Sequence, residues 1–340
     1  MQASPTPPVM PTDVRHYVWA GFDFFIDRQG TPVLIEANRA SHMLGEYVQF
    51  IGDERPFDLT AGVMNRAAGP ACLLWRRNDP LPEGGEDACF IGERLMKHLA
   101  EPAVICDVED NQEPRTELVA RDGRHVRPGS IFRWWYGLPW SYERSGATVI
   151  NPNSVWMVVR DKLVCSQILA GAKSFRVPRS FAVESDADVR ALLAANPELF
   201  SDGFVVRPRV GWGGHGVQVA SRGEEPRVEG GNAVLSERII PSRADRRFWE
   251  VRAFVMDGVY LGGIVHSSSA PNTNYWQGGT SEPLDESTRR LLEAPSLEAA
   301  ALIDAAANQI HVLPDAPASP LTEVNYEGTG MPSMVPRHPV

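Results

Sequence analysis

One run, FVVRPRVGWGGHGVQVA at residues 204–220, constrains this chain more than any other. An apolar strand, Phe204-Val205-Val206, enters a basic corner at Arg207-Pro208-Arg209. Four glycines follow within six positions (Gly211, Gly213, Gly214 and Gly216), and a second strand leaves over 217–220. P-loops and dinucleotide fingerprints both run from strand into helix, so a strand–glycine loop–strand is neither. Glycine lets the backbone approach an anion closely and aim amides at it. The run therefore predicts a mobile flap over nucleotide phosphates, with a ligand-free glycine hairpin as the plain alternative.

Composition narrows the partners. At 340 residues the chain is long enough for two or three domains, and 43% hydrophobic with 22% charged residues is ordinary for a globular protein. A net charge of −10 argues against nucleic acid or an anionic membrane as the main partner. Arg207, Arg209, Arg243, Arg246, Arg247 and Arg252 still suit a locally basic pocket. Cys72, Cys89, Cys106 and Cys165 are scattered with no CxxC, which reads as reduced cysteines in a cytoplasmic protein. Nothing approaches an apolar run of ~18 residues. Residues 1–13 are proline-rich and read as a disordered tail.

Residues 14–60 open with a predicted β-hairpin, YVWAGFDFFID and TPVLIEAN, turned at Gly30. Residues 67–150 alternate strand and helix, which predicts a small α/β domain with a largely parallel sheet. A helix is expected over 154–171, another over 186–196 capped by Ser185 or Asp186, and a third, alanine-rich, over 295–309. An antiparallel hairpin is expected to turn at Asp257-Gly258. The chain carries one internal echo, LIEAN at 34–38 and LTEVN at 321–325.

Several stretches carry chemistry. Asp161-Lys162 stands as an isolated ion pair in an otherwise apolar helix, where the lysine can reach a phosphate or simply meet solvent. Alternation puts Glu250, Arg252 and Phe254 on one strand face. Glu-x-Asn sends two oxygen-bearing side chains from one face, as Mg²⁺ bridging phosphates requires. That spacing occurs twice, at Glu36/Asn38 and at Glu323/Asn325.

In order, these motifs over 150–330 resemble the ATP-grasp superfamily of carboxylate–amine ligases, which includes glutathione synthetase and D-alanine–D-alanine ligase. The resemblance implies an α/β (α+β) chain: an ATP-grasp fold with a preceding small α/β domain and an extra N-terminal β-hairpin segment. Its first half would span 151–245 with the flap at 201–222, and its second half 246–335. It implies ATP and Mg²⁺ as cofactors, and C–N bond formation between a carboxylate and an amine through an acyl phosphate. Lys162, Arg207, Gly213, Gly214 and His215 would face the phosphates; Arg207 stands where the family usually has lysine. Glu237, Arg238 and Ile239 would hold the adenine, and Asp245 the ribose. Arg252, with Arg207, would stabilise the transferred charge. Glu323, Asn325 and Asp315 would hold the metal, although Asp315 lies only eight residues before Glu323 where the family has about a dozen.

The alternative metal set is Asp23, Glu36 and Asn38. The run GFDFFIDRQGTPVLIEANRASH at 21–42 looks like the last hairpin of a grasp domain moved to the front of the chain, as in circularly permuted relatives of the glutathionylspermidine-synthetase type. It reads equally as the remnant of a second grasp domain. Arg39 and His42 contact substrate only in the permuted case, and Asn272, Asn274 and Gly278-Gly279 match a loop on the acceptor side. A non-catalytic nucleotide-binding scaffold and a small-molecule kinase remain as other functions for the same site. Many members dimerise, so a homodimer is the expected assembly.

Overall fold

The computed structural model describes residues 18–39, 44–75, 88–113, 115–133, 140–211, 215–242, 248–268 and 280–309. Strands β1 (Trp19–Ile26) and β2 (Pro32–Arg39) form the N-terminal hairpin, followed by helices α1 (Leu44–Phe50) and α2 (Arg55–Asn65). Strand β3 (Ala71–Trp75), helix α3 (Ala88–His98) and β4 (Val104–Asp107) make a parallel β–α–β unit. A small hairpin, β5 (Leu118–Val119) and β6 (His125–Val126), leads to β7 (Ser130–Arg133), α4 (Trp140–Arg144) and β8 (Thr148–Val149). Helices α5 (Asn153–Arg160) and α6 (Lys162–Leu169) precede β9 (Ser180–Val183) and α7 (Asp186–Ala195). Next come β10 (Phe204–Pro208), β11 (Gln218–Ala220) and β12 (Ala233–Glu237). Last are β13 (Phe248–Met256), β14 (Val259–Ser268), β15 (Thr280–Pro283) and α8 (Glu286–Asn308).

The result is a mixed α/β fold with three main sheets. The order β4-β3-β7-β8 is parallel throughout, as alternating strands and helices over 67–150 predict. A second sheet, β11-β10-β12-β9, is antiparallel and packs Phe204, Val206, Ala233 and Leu235 against Val189 of α7. The third runs β15-β14-β13-β1-β2. Strand β1 lies beside β13 from Trp19↔Met256 to Phe24↔Val251. Strands from the first hairpin, within 14–60, and from 246–335 thus lie in one sheet.

Alternation sorts that sheet's two faces. Phe22, Phe24, Val251, Ala253 and Val265 pack in one cluster with residues of α5, α6 and α8. Facing residues Trp19, Phe254, Met256 and Ile264 pack with Tyr47, Phe57 and Ala61 of α1 and α2. Between β1 and β2 the register shifts: Asp23 faces Glu36, and Phe24 faces Leu34, so Ile35 is an extra residue. Such a bulge resets the phase of the strand. Leu34 then joins Phe24 in the core, while Glu36 and Asn38 stand beside Asp23 and Gly21 on the opposite face.

Two helix expectations change. The helix expected over 154–171 breaks at Asp161, whose backbone is extended (φ −89°, ψ 104°). Its carboxylate then caps α6 by accepting from the amides of Leu163 and Val164. The alanine-rich helix begins at Glu286 rather than 295, with Asp285 accepting from the Thr288 amide and Pro295 buried inside. The α7 cap is as expected: Ser185 accepts from the amide of Asp188. The Asp257-Gly258 turn is also present, both residues having positive φ.

Asn151 ties the parallel domain to the five-stranded sheet. Its backbone is left-handed (φ 50°), and its carboxamide pairs with both the amide and carbonyl of Trp19, at 2.9 and 2.7 Å. Within the parallel domain, α3 crosses Trp75 so closely that a Cβ on Gly92 would lie 2.2 Å from the indole. Alanine is the better helix former by about 1 kcal/mol, but overpacking a filled core costs about 1–3 kcal/mol. Gly92→Ala should therefore lower the urea midpoint; an unchanged or higher midpoint would show that α3 slides freely.

Candidate functional site

Two sheets and a broken helix meet at one narrow cavity. Its walls are Leu34, Ile35, Glu36 and Ala37 of β2; Val159 of α5; Lys162, Cys165, Ser166 and Leu169 of α6; Val177 and Pro178 before β9; and Arg207 of β10. The volume is about 20 Å³, room for a single water molecule and far below that of a purine.

Charged groups gather at this cavity and along the neighbouring sheet face. Lys162 Nζ lies 3.3 Å from Glu36 Oε1 and donates to the Gly211 carbonyl at 2.7 Å. Arg207 donates from Nη1 to the carbonyl of Ile35, the bulge residue, at 3.0 Å. Its Nε is buried and makes no hydrogen bond among the described residues. Burial pulls the Arg207 guanidinium below its usual basicity, and the nearby Glu36 carboxylate opposes that shift. Arg252 of β13 grips Asp23 with two hydrogen bonds, Nε to Oδ1 at 2.8 Å and Nη2 to Oδ2 at 3.0 Å. Asn38 Nδ2 donates to the same Oδ2 at 3.0 Å.

Asp23 is 3% exposed, so its charge is held by these donors rather than by water. Burial pushes the Cys165 thiol up to about 12, which leaves it protonated and without nucleophilic use at neutral pH.

The fold thus brings together Lys162, Arg207, Arg252, Asp23, Glu36 and Asn38. Other candidates stand elsewhere. His215 is exposed on the outgoing arm of the flap. The Glu237 carboxylate accepts from Arg176 Nη1 at 3.0 Å and from the Arg179 amide at 2.9 Å. The Glu237 and Arg238 amides already donate to the carbonyls of Arg179 and Gly203, and Arg238 reaches Ser221. Ile239 is buried; none of these three lines the cavity. Gly213, Gly214, Asp245, Asp315, Glu323 and Asn325 lie outside the described residues.

Asp161 and Lys162 are not the isolated pair expected. Each faces another partner, Arg209 for the aspartate and Glu36 for the lysine. The strand bulge that aims Glu36 had no signature in the sequence. Nor did the apolar wall of Leu34, Val159, Leu169 and Val177, whose members read only as core. The cap at Asp161 was visible in principle, as an aspartate at the head of an apolar helical run.

Among the described residues, no cluster of three or more His, Cys, Asp and Glu side chains suits a metal ion. Asp23 of β1 with Glu36 and Asn38 of β2, on one sheet face, are the donor types that a hard cation takes alongside phosphate and water, with both Asp23 oxygens here engaged by Arg252 and Asn38.

No family model matches the chain, and no curated protein does. Solved structures do. A "putative gamma-glutamylcysteine synthetase" from Methylobacillus flagellatus KT aligns with a TM-score of 0.50 and 12% identity, over 85% of this chain and 88% of that one. The D-cycloserine synthetase DcsG aligns with a TM-score of 0.44 and 19% identity, over 71% and 83%. At 12% identity the first likeness is one of fold alone.

Proposed function

We propose that this chain is an ATP-grasp ligase in circularly permuted order, joining a carboxylate to an amine with release of ADP and phosphate. One observation carries the reading: Lys162 and Arg207 meet Glu36 beside the Asp23–Arg252 pair, at the seam of two sheets. Three cations interleaved with hard oxygen donors are the groups that a magnesium–triphosphate complex needs. The fold-level likeness to the gamma-glutamylcysteine synthetase structure agrees with this reading without carrying it.

The residues divide the work. Lys162 and Arg207 would hold phosphate oxygens, and the buried Nε of Arg207, which makes no hydrogen bond among the described residues, is a spare donor on a residue that lines the cavity. Asp23, Glu36 and Asn38 would hold Mg²⁺, which would supply neutralising charge for a transferred phosphoryl group. Arg252 stands beside Asp23, placed to stabilise the anion that forms on the acyl group. No cysteine nucleophile is required, in keeping with the protonated Cys165.

Among the described residues, no helix is long and apolar enough to cross a membrane. The test is ADP release across a panel of carboxylates, with hydroxylamine as the trap. Hydroxamate formation identifies an acyl phosphate. Nucleotide binding with no turnover across a broad panel would instead favour a non-catalytic scaffold. ADP release with a hydroxyl acceptor and no hydroxamate would favour a kinase.

Lys162→Ala should weaken nucleotide binding by about 10- to 100-fold, since a charge-assisted hydrogen bond is worth about 1.5–3 kcal/mol. Titration calorimetry measures this directly, and an unchanged affinity would make the lysine decorative.

A further inference from the structure

The break between α5 and α6 does more than end a helix. Asp161 uses its two carboxylate oxygens for different tasks. Oδ1 accepts from the amides of Leu163 and Val164, at 3.0 and 3.1 Å, and so starts the helix on which Lys162 sits. Oδ2 accepts from Arg209 Nε at 2.6 Å. Arg209 is the residue through which the chain leaves β10 for the glycine flap. Two more bonds close the joint: the Lys162 amide donates to the Arg209 carbonyl at 3.0 Å, and Lys162 Nζ donates to the Gly211 carbonyl at 2.7 Å. On its other side the Arg209 amide donates to the Asn232 carbonyl at 3.1 Å, anchoring it to the chain entering β12.

We propose that Asp161 and Arg209 are a positioning pair, which fixes Lys162 and the root of the flap as one unit and thereby sets affinity for nucleotide phosphates. The inference rests on the nucleotide reading of the site. Neither residue lines the cavity, so both act through Lys162 and the flap root. The geometry of Asp161 also explains why an aspartate, rather than any capping residue, is needed there. Serine or asparagine can begin a helix, but neither offers a second anionic oxygen to a guanidinium. Burial alone would raise the Asp161 pKa, yet the Arg209 guanidinium and the two amides hold it below the usual carboxylate range.

Asp161→Asn separates the two tasks: it keeps the capping oxygen and turns an amide donor toward Arg209. The full chain would be titrated with Mg²⁺ and a non-hydrolysable β,γ-imido ATP analogue, in parallel with Arg209→Gln, Arg209→Lys and the Asp161→Asn/Arg209→Gln double variant. Each neutralising change should weaken binding about tenfold, the double variant no more than either alone, and Arg209→Lys should recover part of the loss. Thermal midpoints should stay close to wild type because the cap survives. Hydrogen exchange at the Lys162 amide, read in the ligand-free protein, should quicken in the same variants.

Equal affinities in wild type and variants would overturn the pairing. So would additive losses, or tighter binding by Asp161→Asn, either of which would make Arg209 a direct phosphate ligand. A wild-type protein that binds no nucleotide would sink the reading of the whole site, and this pair's role with it.

Discussion

Glu36→Gln should severely slow carboxylate-dependent ADP release while leaving the protein folded, and Glu323→Gln should leave turnover close to wild type. Both residues open a Glu-x-Asn triplet, but Glu36 stands 3.3 Å from Lys162 and on the strand face of Asp23. Glutamine preserves shape and one acceptor oxygen but removes the charge that a hard cation demands. Loss of metal-borne stabilisation of transferring charge is expected to slow turnover by roughly two to three orders of magnitude. Folding should survive because the Glu36 side chain is one-third exposed and Lys162 keeps the Gly211 carbonyl. Circular dichroism and ADP release, measured on the same preparations, provide the comparison. If Glu323→Gln fails and Glu36→Gln works, the permuted assignment of the metal strand is wrong.

A chain lacking residues 1–39 should not fold at all. The strand β1 lies between β13 and β2, so its removal strips hydrogen-bond partners from an interior strand of the sheet. It also removes Trp19, Phe22 and Phe24, each essentially inaccessible to solvent. Truncating a buried aromatic costs about 3–5 kcal/mol, so three such losses rival the whole stability of a domain, about 5–15 kcal/mol. The predicted outcome is insoluble protein or a broad, non-cooperative melt. Fragment 40–340 giving a sharp thermal transition and binding Mg-ATP would show that the hairpin is an accessory.

That hairpin shows how far the sequence could be read. Its two strands, the turn at Gly30 and the Asp23/Glu36/Asn38 spacing were all legible, because period and turn chemistry are local. Its partner was not: β1 pairs with a strand more than 220 residues away, and alternation looks the same whichever neighbour it meets. The parallel domain was legible for the same local reason, since strands that alternate with helices have few other arrangements. The break at Asp161 had one local mark, the capping aspartate itself, while Val158-Val159 before it and Leu163-Val164 after it continue a helical apolar pattern that the backbone does not follow. Pro295 misled in the opposite direction: it marks helix starts as a rule, yet here it is buried inside α8. Among the candidate ligands, those on the sheet face were found by period two, whereas the Arg207–Ile35 contact depends on a bulge that no residue type announces.

The Asp23–Arg252 clasp has a consequence for how the molecule comes to exist. On the ribosome, the first strand made must wait for the thirteenth before its aromatic face is covered. Loop closure over so long a stretch is entropically slow, and contacts between distant residues delay folding. In the interval an alternating aromatic segment is left without its neighbour, the kind of exposed edge that invites association with other nascent chains. Chaperone dependence during synthesis, and a refolding yield that falls as protein concentration rises, are the expected marks of building a sheet from both ends of the chain.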